Sequence, residues 1–279
     1  MLRRSRTVLL FRTPICRPHP SKTAVGVDRR LTEVGIGRGC SVPFVDFVLV
    51  HGAYHGAWCW DRVSRELTDR GHQVVAMDLP IEDPAAALLD YRDAVLEAAA
   101  GLEKPVIVGH SMAGAVIPLV AASRAVSKLV FLCAFVPRPG RSLNQLRASE
   151  PVETYRLTTV EFEDLGNRVW AIGEGTAREL FFHDLPDDVV LWAHNLLRPQ
   201  AYAVFEEASP LRAWPDVASA YIVCGQDRAV DPEWSRAAAQ DRLGVTAIEL
   251  SGGHSPFLGR PIELASALET AAGADLPHP

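Results

Sequence analysis

Between Val45 and Val136, short apolar runs alternate with stretches of helical periodicity, and this restricts the chain more than any other feature. Val45–Val50, Gln73–Met77, Pro105–Val108 and Lys128–Phe135 each read as a strand buried on both faces. Trp58–Arg70 and Met112–Ser123 read as intervening helices, and a third helix places Leu88, Tyr91 and Val95 on one face. Asp83-Pro84 is the predicted start of that third helix, as N-cap and first helical residue. Strands separated by single helices are βαβ units, which require a mostly parallel sheet with helices on both faces. The pattern stops at Pro137, gives way to a longer aromatic stretch of mostly helical pattern up to Pro215, and resumes at Ala220–Cys224. Asp231-Pro232 then opens a helix, Thr246–Leu250 is the last strand and Pro261–Ala272 the last helix. The expected organisation is an α/β core over 44–136 and 216–279, with a helical cap over 137–215 inserted after the fourth strand.

The 279 residues carry a net charge of −6, distributed unevenly. Residues 1–43 hold nine basic residues against two acids, a net of +7; the remainder holds 19 against 32, a net of −13. A body this acidic is a poor general partner for nucleic acid, whose affinity rests on clustered Lys and Arg. The opening stretch has one short apolar run, Val8–Phe11, too short for the core of an export signal and with no small-residue cleavage site after it. It is expected to be a poorly ordered extension, with an organelle-targeting peptide as the alternative. Cys16, Cys40, Cys59, Cys133 and Cys224 are odd in number and scattered. That argues against a disulfide framework and for a reducing, cytoplasmic setting. No apolar run is long enough to span a bilayer.

Four segments carry chemistry, each just after a predicted strand. Val106-Ile107-Val108-Gly109-His110-Ser111-Met112-Ala113-Gly114 runs from a strand through a serine among small residues into a helix. That is the setting of a nucleophile elbow, where side chains two positions either side of the serine must be small. Gly109 meets the demand; Ala113 stands where the motif has glycine. His51-Gly52-Ala53-Tyr54-His55-Gly56 is a glycine-punctuated loop able to turn backbone N–H groups toward the strand ends. A negative oxygen in acyl transfer needs two such donors, and Ala53 and Met112 are the candidates. His51 and His55 are spaced i, i+4, but with glycine between them in a loop no metal site is expected. Gly225-Gln226-Asp227 ends a strand in a carboxylate; the rival Asp231 precedes Pro232 and Glu233, where N-capping accounts for it. Finally Gly252-Gly253-His254 projects a histidine after the last strand. The order Ser111, Asp227, His254 is that of the α/β-hydrolases. In this set Ser111 is the nucleophile, His254 its base, and Asp227 the group that orients the imidazole. No cofactor is needed.

The chain from about Val45 onward resembles the α/β-hydrolase superfamily and, within it, the plant methylesterase and hydroxynitrile lyase group with its bacterial relatives. The motifs are HGAYHGAWCW (His51–Trp60), GHSMAG (Gly109–Gly114), CAFVPRPG (Cys133–Gly140), Gly225-Gln226-Asp227 and GGHSPF (Gly252–Phe257). The resemblance implies the same roles for Ser111, Asp227, His254, Ala53 and Met112. Hydroxynitrile lyases of the group keep a lysine after the catalytic histidine; Ser255 stands there in this chain, which argues against lyase activity. The expected function is hydrolysis of a small or medium carboxylic ester with an apolar group. The alternatives are a lyase, a cyclase or lactone-forming enzyme using the same site, and a non-catalytic receptor for a small ligand. Expected substrate contacts are His51, Tyr54, His110, Phe135 and Trp192. His183, Asp184 and His194 are further cap candidates, equally able to cap helices or face solvent. The sequence does not specify an oligomeric state.

Overall fold

The computed structural model describes residues 8–11, 44–150 and 162–273. In chain order the strands are β1 (Val8–Phe11), β2 (Asp46–Val50), β3 (Gln73–Met77), β4 (Val106–His110), β5 (Lys128–Leu132), β6 (Phe162–Asp164), β7 (Val169–Ile172), β8 (Gln200–Ala201), β9 (Ser219–Cys224) and β10 (Ile248–Leu250). Seven of them form one sheet in the order β1-β3-β2-β4-β5-β9-β10. Strands β2, β3, β4, β5, β9 and β10 are parallel, while β1 runs antiparallel along β3 with Val8 opposite Met77. The apolar run of the basic opening stretch is therefore an edge strand; the rest of 1–43 lies outside the described residues.

The core helices before the cap are α1 (Asp61–Asp69), α2 (Leu88–Ala98) and α3 (Ile117–Ala121). Helix α2 starts four residues beyond the predicted Pro84. The Asp83 carboxylate accepts the Ala85 N–H at 2.9 Å and closes a turn, and Asp90 accepts the Ala87 N–H at 2.8 Å to open the helix. Asp-Pro suits a turn as well as a cap, and here the turn takes it. Strand β5 ends three residues short of Phe135 because Cys133 leaves the ladder with φ 45°.

The segment 137–215, expected as the cap, holds α4 (Leu143–Ser149), α5 (Glu174–Phe181), α6 (Asp187–His194) and α7 (Ala203–Glu206). Helix α4 begins with a capping box: the Gln145 N–H donates to Ser142 Oγ, and the Ser142 N–H donates to Gln145 Oε1. Larger in helix, the segment also contains a three-stranded antiparallel sheet, β6-β7-β8, that the sequence pattern does not predict. Its strands are two to four residues long, too short to show a period of two. Residues 151–161 of the cap lie outside the described residues. After the cap follow α8 (Pro232–Ala238), α9 (Pro256–Gly259) and α10 (Pro261–Ala272). Asp231 caps α8 by accepting the Trp234 N–H at 2.8 Å.

Because side chains alternate across a strand, each strand feeds two cores. Val48, Val75, Ile107, Leu129 and Val223 pack with α2 and α3 on one face. Leu49, Val74, Val108, Val130 and Ile222 pack with α1 and α10 on the other. Burying each such side chain contributes about 1.5–3 kcal/mol, which anchors the strand ends. Strand β2 has β3 on one side and β4 on the other. The winding direction reverses there, and such a switch point opens a crevice at the carboxyl ends of the strands.

Candidate active site

The loops after β2 and β4 flank that crevice. Ser111 directly follows β4 with φ 52°, the left-handed region that non-glycine residues avoid. The turn is held open by the absence of side chains around it. A Cβ on Gly109 would stand 2.8 Å from Ile117 Cγ2, and one on Gly114 would fall 1.9 Å from the Phe135 carbonyl oxygen. Ala113 is fully buried and accommodated, so the closest backbone approach in this elbow falls on Gly114. Met112 sits in the first turn of the short helix Ser111–Ala115, where an N–H has no partner within the helix.

Asp227 and His254 meet at the far side of the crevice. His254 Nδ1 donates to Asp227 Oδ2 at 2.7 Å, and both side chains are buried. The other carboxylate oxygen, Oδ1, accepts the N–H groups of Ala229 at 2.7 Å and Val230 at 3.0 Å. With both oxygens occupied the carboxylate is fixed, and donation from Nδ1 leaves Nε2 of His254 as the ring's acceptor. The ring packs 4.6 Å from His110 and 5.5 Å from Phe181, centroid to centroid.

Ser111 and His254 line one cavity of about 350 Å³, together with Ala53, Tyr54, Arg147, Phe162, Trp170, Phe181, Tyr202 and Phe205. That is the size of a small-molecule site. Ala53 is thus at the cavity, and its neighbour Gly52 lies against the serine turn, where an added Cβ would stand 2.9 Å from Ser111 Cβ. Of the expected substrate contacts, Tyr54 lines the cavity; burial is the main force pushing its phenol well above the ordinary value.

The other four are placed elsewhere. His51 is fully buried: Nδ1 donates to the Gly52 carbonyl at 2.8 Å and Nε2 accepts the Leu79 N–H at 3.0 Å, so both ring nitrogens are spent on the loop. Burial pushes its imidazole down to about 4. His110 donates from Nε2 to the His254 carbonyl at 2.9 Å, and burial holds it well below the usual range. Phe135 packs in the core, where its backbone meets the elbow. Trp192 is 43% exposed and rests edge-on against Trp58 at 5.5 Å, because α6 turns Val190 and Ala193 inward instead.

His55 donates from Nδ1 to the Ala53 carbonyl at 2.8 Å and so braces the loop; burial pushes it down to about 3. Among the described residues no group of three or more His, Cys, Asp or Glu is arranged to hold a metal ion. From the cap, His183 donates from Nε2 to the Gln226 carbonyl at 2.9 Å, and Asp184 accepts the Gly253 N–H at 2.8 Å. His194 approaches the Ile172 carbonyl at 3.2 Å. These three side chains hold loops and the cap rather than line the cavity. Sequence reasoning missed Arg147, Phe162, Trp170, Phe181, Tyr202 and Phe205 as cavity residues. The aromatic enrichment of the cap was the available signal, but it could not say which rings turn inward.

The alpha/beta hydrolase family matches residues 47–267 of the chain. Salicylic acid-binding protein 2 of Nicotiana tabacum is 32% identical over 81% of this chain and 96% of its own length. Methyl jasmonate esterase 1 of Vitis vinifera is 28% identical over 80% of this chain and 95% of its own. Among solved structures, a pyrethroid hydrolase of Sphingobium faniae superposes with a TM-score of 0.70 at 24% identity, over 83% of this chain and 98% of that one.

Proposed function

The chain belongs to the alpha/beta hydrolase family, and from that premise we propose that it is a cofactor-free serine hydrolase of small or medium carboxylic esters. The reading rests on one observation above others: His254, paired at 2.7 Å with the buried Asp227 behind it, lines the same cavity as a serine held at φ 52°. His254 Nε2 takes the proton of Ser111 Oγ as that oxygen attacks the ester carbonyl. The resulting oxyanion is held by the N–H groups of Ala53 and Met112. His254 returns the proton to the departing alcohol, leaving an acyl group on Ser111. A water molecule, deprotonated by the same nitrogen, then releases the acid. Asp227 keeps Nδ1 protonated throughout and stabilises the imidazolium.

The apolar cavity wall favours an apolar acyl or alcohol group, and the relative named a methyl jasmonate esterase supports ester cleavage. Among the described residues no helix is long and apolar enough to cross a membrane. The free buried thiols Cys59, Cys133 and Cys224 suit a reducing, cytoplasmic setting. Ser111→Ala is expected to lower kcat/KM on short p-nitrophenyl esters by more than about 10³-fold at unchanged melting temperature, and to abolish covalent labelling by a fluorophosphonate. Turnover retained in that variant overturns the assignment.

A further inference from the structure

Two half-buried arginines, Arg147 and Arg260, have a buried Nε without a hydrogen bond and no ion pair among the described residues, and of the two Arg147 is the one that lines the cavity. Arg198 lies 3.5 Å from Asp78 and 3.4 Å from Glu82, Arg70 pairs with Glu269 at 2.6 Å, and Arg242 pairs with Glu150. Arg62 donates to the Leu258 carbonyl at 2.7 Å. Arg147 has no ion-pair partner among the described residues, and its Nε is buried without a hydrogen bond. Its direction follows from local sequence. The capping box at Ser142 and Gln145 sets the start of α4, and Leu143 is buried one turn before Arg147. Residues four apart share a helix face, so the side chain that follows Leu143 by four is carried inward, over the cavity.

There it is a cation in an apolar setting. Apart from His254, the other side chains named in the lining are Ala53, Tyr54, Ser111, Phe162, Trp170, Phe181, Tyr202 and Phe205, none of which carries a charge to balance it. Its field reaches Tyr54, whose acidity it favours against burial. Arg147 is half-buried, with its Nε sealed and unpaired; a buried donor left without a hydrogen bond costs free energy, and a cavity open to ligands is where a partner for this guanidinium can be supplied from outside.

We propose, building on the hydrolase reading above, that Arg147 makes the cap end of the cavity a subsite for a carboxylate, so that the preferred substrate is a half-ester: a carboxylic ester bearing a second, ionised carboxyl group. The planar fork of a guanidinium matches a carboxylate with two parallel hydrogen bonds. The ester carbonyl rests at Ser111 while the free carboxylate reaches Arg147, and the aromatic wall packs along the carbon chain between them. Hydrolysis then yields a dicarboxylate and the alcohol.

The test compares monomethyl esters of straight-chain dicarboxylic acids with neutral methyl esters of matched length. In the unaltered protein the ratio of kcat/KM, charged over neutral, is expected to exceed about 10 for the best chain length, the order of a charge-assisted hydrogen bond. In Arg147→Gln the ratio falls to about one, and Arg147→Lys, which keeps the charge but loses the fork, is intermediate. Each ratio is internal to one protein, so a general loss of activity does not imitate the effect. A ratio near one in the unaltered protein, or a preserved ratio in Arg147→Gln, overturns the subsite. Calorimetric binding of the half-ester to Ser111→Ala separates this from failure of the hydrolase reading. Binding that weakens about tenfold or more when Arg147→Gln is added sustains the subsite even if neither ester is turned over; unaltered binding overturns it.

Discussion

On the core side of the cavity, Ser111, Asp227 and His254 sit within a residue or a few of buried parallel strands, and the Asp227 carboxylate and the histidines around it are each tied by hydrogen bonds. On the cap side the wall is aromatic, built from short helices and strands, with one guanidinium that has no partner among the described residues. The core side is over-determined: Asp227 accepts three hydrogen bonds, and His51, His55 and His110 are tied to backbone groups. The cap side is constrained chiefly by packing. The contrast suggests a division of labour in which the core fixes the reaction and the cap chooses the substrate.

The sharpest way to break that comparison is to disturb the core while sparing its shape. Asp227→Asn keeps the volume and the acceptor for Ala229 and Val230, but offers an amide to His254 Nδ1, which favours the wrong tautomer. A fall in kcat of about 10³–10⁴ is expected, with the cavity and melting temperature little changed. A fall of less than tenfold in a steady-state assay would mean that the Asp227–His254 pair does not organise the chemistry.

The buried histidines give a second, thermodynamic handle on the same side. Burial holds His51 at about 4 and His55 at about 3, against an ordinary value of 6.5, and keeps His110 well below it. Below pH 6.5 the unfolded chain takes up protons at these positions while the native state does not. Stability is therefore full above pH 6.5 and is lost as pH falls toward 4 and 3. Each histidine contributes up to about 1.4 kcal/mol per pH unit in that window. Urea midpoints measured from pH 7 down to 5 are expected to fall steadily, and less steeply in His55→Gln. A flat profile would show that the loop after β2 is not held by neutral imidazoles.

Legibility in the sequence divides along the same boundary. The core strands are apolar on both faces, so their runs announce themselves, and the loops that follow place Ser111, Asp227 and His254 by order alone. The 137–215 segment offers no comparable rule. Its strands are too short for periodicity, and Trp192 and Trp170 look alike in the sequence although one faces outward and the other lines the cavity. His51 and His110 were readable as site residues only by proximity to motifs. That both are consumed by backbone hydrogen bonds follows from how the loops close, which no local pattern encodes. Arg147 was hidden for the same reason: its importance lies in the partner it lacks among the described residues.

The division is not complete, because one part of the cap reaches the loops that carry Asp227 and His254. The turn between α5 and α6 places His183 on the carbonyl of Gln226, next to Asp227, and Asp184 on the N–H of Gly253, next to His254. The cap thus clamps both loops, and Asp184 is expected to act as a positioning residue. Asp184→Ala removes one acceptor at a partly exposed site, worth about 1 kcal/mol, so kcat should drop about fivefold while KM moves less than twofold. Asp184→Asn, whose amide oxygen can still accept the Gly253 N–H, should restore most of it. A merely structural role would lower the melting temperature of both variants and leave the kcat of the folded fraction unchanged. A change in KM alone would return Asp184 to the substrate side and make the separation of core and cap stricter than the clamp implies.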